Sequence, residues 1–300
     1  MRGDGSLVPV TSTYRAFLRS TSALRLTPRV KRGMGGHSTG IVRVINTSNL
    51  YSAVPDFFGL SHPPRGFHSH HQASAHLHPF NFRPVYPNIY TDGVILLLGR
   101  GSMFVFSGEG CRLLLGVAAD WCGATLLDLG AGDGRTTAVM APYFAEVFVT
   151  EVSAPMRSIL AKRGFRLLEA DTWTTSGHKF DVISCLNLLD RCDRPLSLLQ
   201  DLRAALKPGG KVLVALVLPF NPYVEIGWEG HRPSEWLPIQ GDNFEQQVTS
   251  VMADVFEPAG FAVERWARVP YLCEGDLNQA FYWLDDAVFV LSAAEQEGNS

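Results

Sequence analysis

The stretch ATLLDLGAGDGRTTAVMAPYF, residues 124–144, decides the fold. Thr125–Leu129 is an apolar run of strand length, and three alternating glycines follow it from Gly130 to Gly134. From about Arg135 to Tyr143 the spacing turns helical. Strand, glycine loop and helix in this order open a parallel sheet, because parallel neighbours need a crossover and a helix supplies it.

The alternation continues downstream. EVFVTEVS reads as a second strand ending at Glu151, and APMRSILAKRG as a helix stopped by Gly164. FRLLEAD is a third strand, and FDVISCLNLLDR a fourth that turns into a loop near Asn187. RPLSLLQDLRAALKPGG is a helix closed by Pro208-Gly209-Gly210, and KVLVALVLPF a fifth strand. An irregular insertion (about 221–241) precedes the helix FEQQVTSVMADVFEPAG. FAVERWARVPYL and YWLDDAVFVLS then read as paired strands. Upstream, GEGCRLLLGVAADW predicts an amphipathic helix. The expected fold is α/β: a mostly parallel, doubly wound sheet with an antiparallel C-terminal edge.

The chain has 300 residues, 46% of them hydrophobic and 18% charged, enough to bury a substantial core. Its net charge of −3 conceals an asymmetry. Residues 1–90 carry ten Lys/Arg against two acids, and the rest carry sixteen against twenty-seven. Residues 1–90 are expected to be a basic, His/Pro/Gly-rich, mostly irregular segment, 91–295 the folded domain, and 296–300 a tail. The first 36 residues are rich in Arg, Ser and Thr, which is targeting-peptide composition, with a basic tail as the bland alternative. The expected location is intracellular, with mitochondrion or endoplasmic reticulum as the organelles to consider. No apolar run reaches the roughly 20 residues of a membrane-spanning helix. Five scattered cysteines without C-x-x-C oppose a disulfide framework or zinc ribbon, and no metal is expected. The acidic second part opposes a nucleic-acid groove.

In an open α/β sheet, the loop after the first strand reaches the carboxyl edge, where ligands bind. Asp128 ends the strand and Asp133 lies inside the loop. Acids there repel phosphate, and no G-K-[ST] follows. The loop suits a ligand with a positive or neutral part, such as the aminocarboxypropyl arm of S-adenosylmethionine. Glu151, twenty-three residues after Asp128, is placed to take two ribose hydroxyls, and Asp171, at the end of the third strand, the adenine amino group. Acids after three strands, with LKPGGKVLV leading into the fifth, point to a class I (Rossmann-like) methyltransferase fold. The competitor, a nicotinamide dinucleotide site, expects G-x-G-x-x-G. The bland alternative is a glycine turn that only packs strand on helix.

Acceptor-side groups belong after the fourth strand, where the chain reads CLNLLDRCDRP. This is not the [DN]-P-P-[YF] of amide-modifying enzymes, and FNPYVE (220–225) follows the wrong strand for it. Asn187 is a neutral donor and acceptor, and Asp190 a carboxylate. A carboxylate beside an imidazole acceptor would take its N–H and leave the other nitrogen as nucleophile. The structural alternative is that Asp190 caps the next helix or pairs with Arg191 or Arg194.

LLGRGSMFVFS, LLDLGAGDG, FDVISCLNLLDRCDRPLSLL, LVLPFNPYVE, PYLCEGD and LDDAVFVL together closely resemble the DREV (methyltransferase-like protein 9) family over about residues 95–292. The resemblance implies methyl transfer from S-adenosylmethionine to the pros nitrogen of histidine in His-x-His motifs of target proteins. It implies cofactor-binding roles for Asp128, Gly130 and Glu151, beside the Gly132 and Asp171 read from the loop and the third strand, with Arg100, Gly101 and Ser102 closing over the cofactor. It implies acceptor-side roles for Asn187, Asp190 and Tyr282, and a peptide groove at Phe220, Tyr223 and Glu225. The departure lies at 40–92, where Pro, His and Gly replace the family's Leu- and Phe-rich helices. The alternatives are a methyltransferase for a small molecule or RNA, and a non-catalytic binding protein on the same fold.

GFHSHHQASAHLHPF, residues 66–80, holds five of the nine histidines. A solvated linker is the bland reading, and a metal tract lacks accompanying Cys or acids. His68-Ser-His70 has a small middle residue of the kind the family favours, so a self-interaction in the enzyme's own cleft is the third reading.

Overall fold

The computed structural model describes residues 43–44, 102–224, 231–274 and 281–294. In chain order, β1 (Arg43–Val44) and β2 (Met103–Phe104) are two-residue strands. Then come α1 (Gly108–Leu115), β3 (Gly123–Leu129), α2 (Arg135–Met140), β4 (Phe144–Thr150), α3 (Ala154–Lys162) and β5 (Arg166–Leu168). They are followed by β6 (Phe180–Leu186), α4 (Pro195–Ala205), β7 (Leu206–Val217), α5 (Phe244–Ser250), β8 (Phe261–Glu274) and β9 (Phe281–Ala293).

The sheet runs β1-β8-β9-β7-β6-β3-β4-β5, with β2 also on β8. The β3–β4, β4–β5, β3–β6 and β6–β7 pairs are parallel, and β9 lies antiparallel between β7 and β8. The order reverses at β3, which sets the glycine loop and the loop after β6 side by side at the carboxyl edge. This is the switch-point crevice of a class I methyltransferase sheet. The expected fold stands, including the antiparallel edge.

Alternation along the strands divides the core in two. Val212, Val214 and Leu216 of β7 join Phe289 and Leu291 of β9 against α4 and α5. Leu213 and Ala215 join Val288 and Val290 against α1. Both faces of β7 are buried, which explains why VLVALVL (212–218) is apolar throughout rather than alternating.

Several boundaries differ from the sequence reading. The α-helix after the glycine loop stops at Met140, and a 3₁₀ turn takes Ala141–Tyr143, with Pro142 as its stop. β7 begins at Leu206, because that residue already pairs with Phe180. Past Ser250 the helix widens into π geometry over Val251–Phe256. β5 stops at Leu168, so Asp171 does not end the strand; it lies on an exposed turn beyond it. Among the described residues, no helix is long and apolar enough to cross a membrane.

Candidate functional site

Two loops carry the site, and the first is the glycine loop. Gly132 has φ +56 and a Cβ there would meet nothing within 4 Å, so its backbone borders open space. Gly134 has φ +77, and a Cβ would come within 2.6 Å of Leu160 Cδ2. One glycine therefore leaves room for a ligand, and the other lets α2 pack against α3. The Gly132 N–H donates to Glu151 Oε2 at 2.9 Å, and the Ser153 N–H to Oε1 at 2.8 Å. Glu151 thus stands just past β4 with its carboxylate drawn to the loop.

Asp128 faces inward instead. Ser184 Oγ donates to its Oδ1 at 2.7 Å and Thr137 Oγ1 to its Oδ2 at 2.5 Å. Burial pushes its pKa up to about 6, against the lowering effect of the two hydroxyls. Both oxygens accept hydrogen bonds within the protein, so Asp128 ties β3 to α2 and β6 beneath the loop.

Ser102, just before β2, donates from Oγ to Asp133 Oδ2 at 2.8 Å, and Thr136 Oγ1 donates to the Met103 carbonyl at 3.0 Å. β2 pairs with the end of β8, Met103 opposite Cys273. This segment therefore spans the carboxyl edge from β8 to the glycine loop. Arg100 and Gly101 lie outside the described residues. Val152, which sequence reasoning passed over, is 69% exposed directly after Glu151. An exposed apolar side chain at a ligand-binding edge offers a flat ring something to lie against.

The second loop follows β6. Asn187 has φ 53, a left-handed turn that asparagine tolerates better than most residues. Its N–H bonds the Ala215 carbonyl at 2.9 Å. Its Nδ2 donates to Asp286 Oδ2 at 2.8 Å, while Oδ1 is buried with no hydrogen-bond partner. Asp190 is 3% exposed; Arg191 Nε lies 3.1 Å from Oδ2, and the buried Oδ1 has no hydrogen-bond partner. Burial pushes the Asp190 pKa up to about 6, with Arg191 acting to lower it. Of the two structural alternatives for Asp190, the pair with Arg191 is present.

Tyr223 is fastened to this loop, its N–H donating to the Asp190 carbonyl at 2.8 Å. Its ring stacks on His231 at 4.5 Å and 13°. The Phe220 N–H is held by Gln247 Oε1 of α5 at 2.7 Å, and Gln247 Nε2 reaches the Gly241 carbonyl at 3.0 Å. Glu225 lies outside the described residues, as does the side chain of Tyr282, whose backbone pairs with Cys273 at the carboxyl edge. The site thus brings together Asn187, Asp190, Phe220 and Tyr223 on one side, and Gly130, Gly132, Glu151 and Ser102 on the other.

Asp286 and His231 escaped the sequence reading. Asp286 is fully buried in β9 beneath Asn187. Its only signal was a doubled acid in the apolar run WLDDAVFVL.

The family model described as DREV methyltransferase matches residues 78–293. Among curated proteins, ubiquinone biosynthesis O-methyltransferases are similar. That of Ruegeria pomeroyi is 32% identical over 49% of this chain and 63% of its own length. That of Cereibacter sphaeroides is 30% identical over 46% and 60%. The chain thus spans less than two thirds of the length of these relatives. Among solved structures, the N-methyltransferase NodS from Bradyrhizobium japonicum, in complex with S-adenosyl-L-homocysteine, aligns at 16% identity and a TM-score of 0.40, over 62% of this chain and 84% of its own. A TehB-like methyltransferase from Corynebacterium glutamicum aligns at 18% and 0.39, over 62% and 88%.

Proposed function

The chain belongs to the DREV methyltransferase family and uses S-adenosylmethionine, and from that premise we propose that its acceptor is a histidine of a target protein, methylated at the pros ring nitrogen within a His-x-His motif. The observation that carries this reading is Asp190, a buried carboxylate with one oxygen held by Arg191 and the other open. A neutral imidazole has one N–H and one lone pair. If the N–H bonds Asp190 Oδ1, the lone pair of the other nitrogen is directed away from the carboxylate, toward the cofactor side.

The cofactor fits the glycine loop. Gly132 leaves room for its aminocarboxypropyl arm beside Gly130, Glu151 is the ribose acceptor, Val152 the apolar floor for the adenine, and Asp171, on the turn past β5, is proposed for the adenine amino group. Ser102, tied to Asp133, borders it from the β2 side, and Arg100 and Gly101 are proposed to close over it. When bound, S-adenosylmethionine supplies an electrophilic methyl on a sulfonium. The protein's share is then alignment and charge. Asp190 fixes the ring and stabilises the positive charge that develops on it. It can then take the ring N–H proton, leaving neutral methylhistidine. Tyr223, with His231 stacked on it, forms a wall beside Asp190, and Tyr282 is proposed as a further aromatic against the ring.

The O-methyltransferases among the relatives favour a second reading, a small molecule methylated on oxygen, for which Asp190 would be the base that takes the hydroxyl proton. The test is incubation with methyl-labelled cofactor, an Ala-His-Gly-His peptide and, separately, a panel of small phenols. Label on the pros nitrogen supports the first reading. Label on a phenol, with none on the peptide, replaces it with the second.

A further inference from the structure

We propose that Asp286 is a positioning residue of the acceptor site, acting through Asn187: it takes the Asn187 Nδ2–H and so fixes the amide with Oδ1 left open to the acceptor. The inference rests on the reading that Asn187 and Asp190 face the methyl acceptor, whatever that acceptor is.

The two acids of WLDDAVFVL alternate across β9 and meet opposite fates. Asp285 turns toward α5. Arg268 pairs with it at 2.5 Å, also reaching Glu245 at 3.3 Å and lying over the Phe244 ring. Asp286 turns to the other face, fully buried, and among the described residues its side chain accepts a hydrogen bond from Asn187, with Oδ1 lacking a partner. A buried acid without a cation is costly to keep, so its retention here needs another explanation than stability. The charged and titratable groups around it are Asp190 and Arg191 from the loop after β6, Asp285 on its own strand, and Cys273 on β8.

Burial, with Asp190 and Asp285 adding to it, raises the Asp286 pKa well above its ordinary value. Its Oδ2 accepts from Asn187, and Oδ1 is the oxygen left for a proton. With Oδ2 an unprotonated acceptor and any proton on Oδ1, the reversed Asn187 amide would set two oxygens 2.8 Å apart, so Asp286 Oδ2 selects the orientation with Nδ2 toward it. Asn187 Oδ1 and Asp190 Oδ1 are then the buried side-chain oxygens of the loop after β6 without a hydrogen-bond partner among the described residues. A donor group on the acceptor finds Asn187 Oδ1 already aimed.

The experiment is a cycle of Asp286→Ala, Asn187→Ala and the double variant, with Asp286→Asn as the conservative replacement. Asp286→Ala should lower kcat at least about tenfold, with cofactor Kd within about twofold. In the Asn187→Ala background, the same change should cost less than about twofold more, because the two residues act as one unit. Asp286→Asn, which keeps an acceptor oxygen for Asn187, should recover most of kcat. Equal losses in both backgrounds, or unchanged kcat in Asp286→Ala, would overturn the proposal. The cycle runs on whichever acceptor takes the label, so failure on histidine peptides alone counts against the substrate reading and not against Asp286. A readout without substrate is the side-chain amide of isotope-labelled Asn187. Its protons should exchange at least about tenfold faster in Asp286→Ala than in wild type, and unaltered exchange overturns the proposal.

Discussion

The Tyr223 N–H donates to the carbonyl of Asp190 at 2.8 Å, so the loop leaving β7 is fastened to the loop leaving β6. That fastening is supported from behind, because Gln247 of α5 holds Phe220 through Oε1 and Gly241 through Nε2. Gln247→Ala breaks both bonds and frees the half-buried Phe220 N–H and the exposed Gly241 carbonyl, which costs about 1 kcal/mol. Denaturant unfolding should show that loss. Steady-state kinetics should show a severalfold rise in acceptor KM with cofactor Kd unchanged, since the glycine loop makes no contact with Gln247 in this hydrogen-bond network.

Asp190→Asn should separate stability from activity. The folded pKa of Asp190 is raised from 3.8 to about 6, chiefly by burial. Between those values the folded chain holds a proton that the unfolded chain has lost, so stability falls as pH rises through this window and the penalty is complete above about 6. It amounts to about 3 kcal/mol at about 1.4 kcal/mol per pH unit. Asp190→Asn should therefore raise the melting temperature at pH 7.5, by an amount that shrinks toward zero below about pH 4. Activity should fall at least about a hundredfold, with cofactor affinity kept.

The wild-type rate should follow the ionisation of the same group. An acceptor N–H needs Asp190 ionised, so kcat/KM should climb about tenfold per pH unit up to about 6 and level above it. A limb that stays in place in Asp190→Asn would mean that another group, such as the acceptor itself, sets it.

Gly132 and Gly134 should respond differently to alanine. Each has positive φ, which costs an L-residue about 1–2 kcal/mol. Gly132→Ala meets no protein atom, so the loss of stability should stop near that figure while cofactor binding weakens strongly. Gly134→Ala drives its methyl into Leu160, so melting temperature should drop further. Calorimetric titration with the cofactor and thermal melts of both variants test this.

The strands were legible where a local pattern was sufficient. Thr125–Leu129, Phe180–Leu186 and the long pair ending the chain are apolar runs bounded by turn residues, and a parallel order follows from the helices between them. The doubled acid Asp285-Asp286 shows what was not legible. Both lie in the same apolar run, and alternation says only that they face opposite ways. Which one meets Arg268 and which meets Asn187 depends on β9 inserting between β7 and β8, a long-range pairing that no local pattern encodes. The Tyr223–His231 stack depends likewise on how the insertion folds back. Asp190 was legible as a candidate because a carboxylate after the fourth strand suits an imidazole acceptor and the family resemblance falls on it; its open oxygen is a tertiary fact.

The sequence also carries a histidine tract at 66–80, outside the described residues. If the acceptor is a histidine in His-x-His, this chain carries its own candidate, His68-Ser-His70, with a small middle residue. His76-Leu-His78 has a larger one and should be the poorer of the two. The tract belongs to the same molecule as the site, so its effective concentration can exceed that of a free peptide. Wild-type chain incubated with cofactor and no peptide should gain a methyl group in the 66–80 fragment, read by mass spectrometry, with His68 or His70 ahead of His76 or His78. The Asp190→Asn chain should gain none, which separates self-methylation from chemical transfer. Deleting 66–80 should lower the KM for an added Ala-His-Gly-His peptide, because a competitor on the same chain has been removed. An unmodified fragment together with an unchanged KM would show that the tract and the site do not meet.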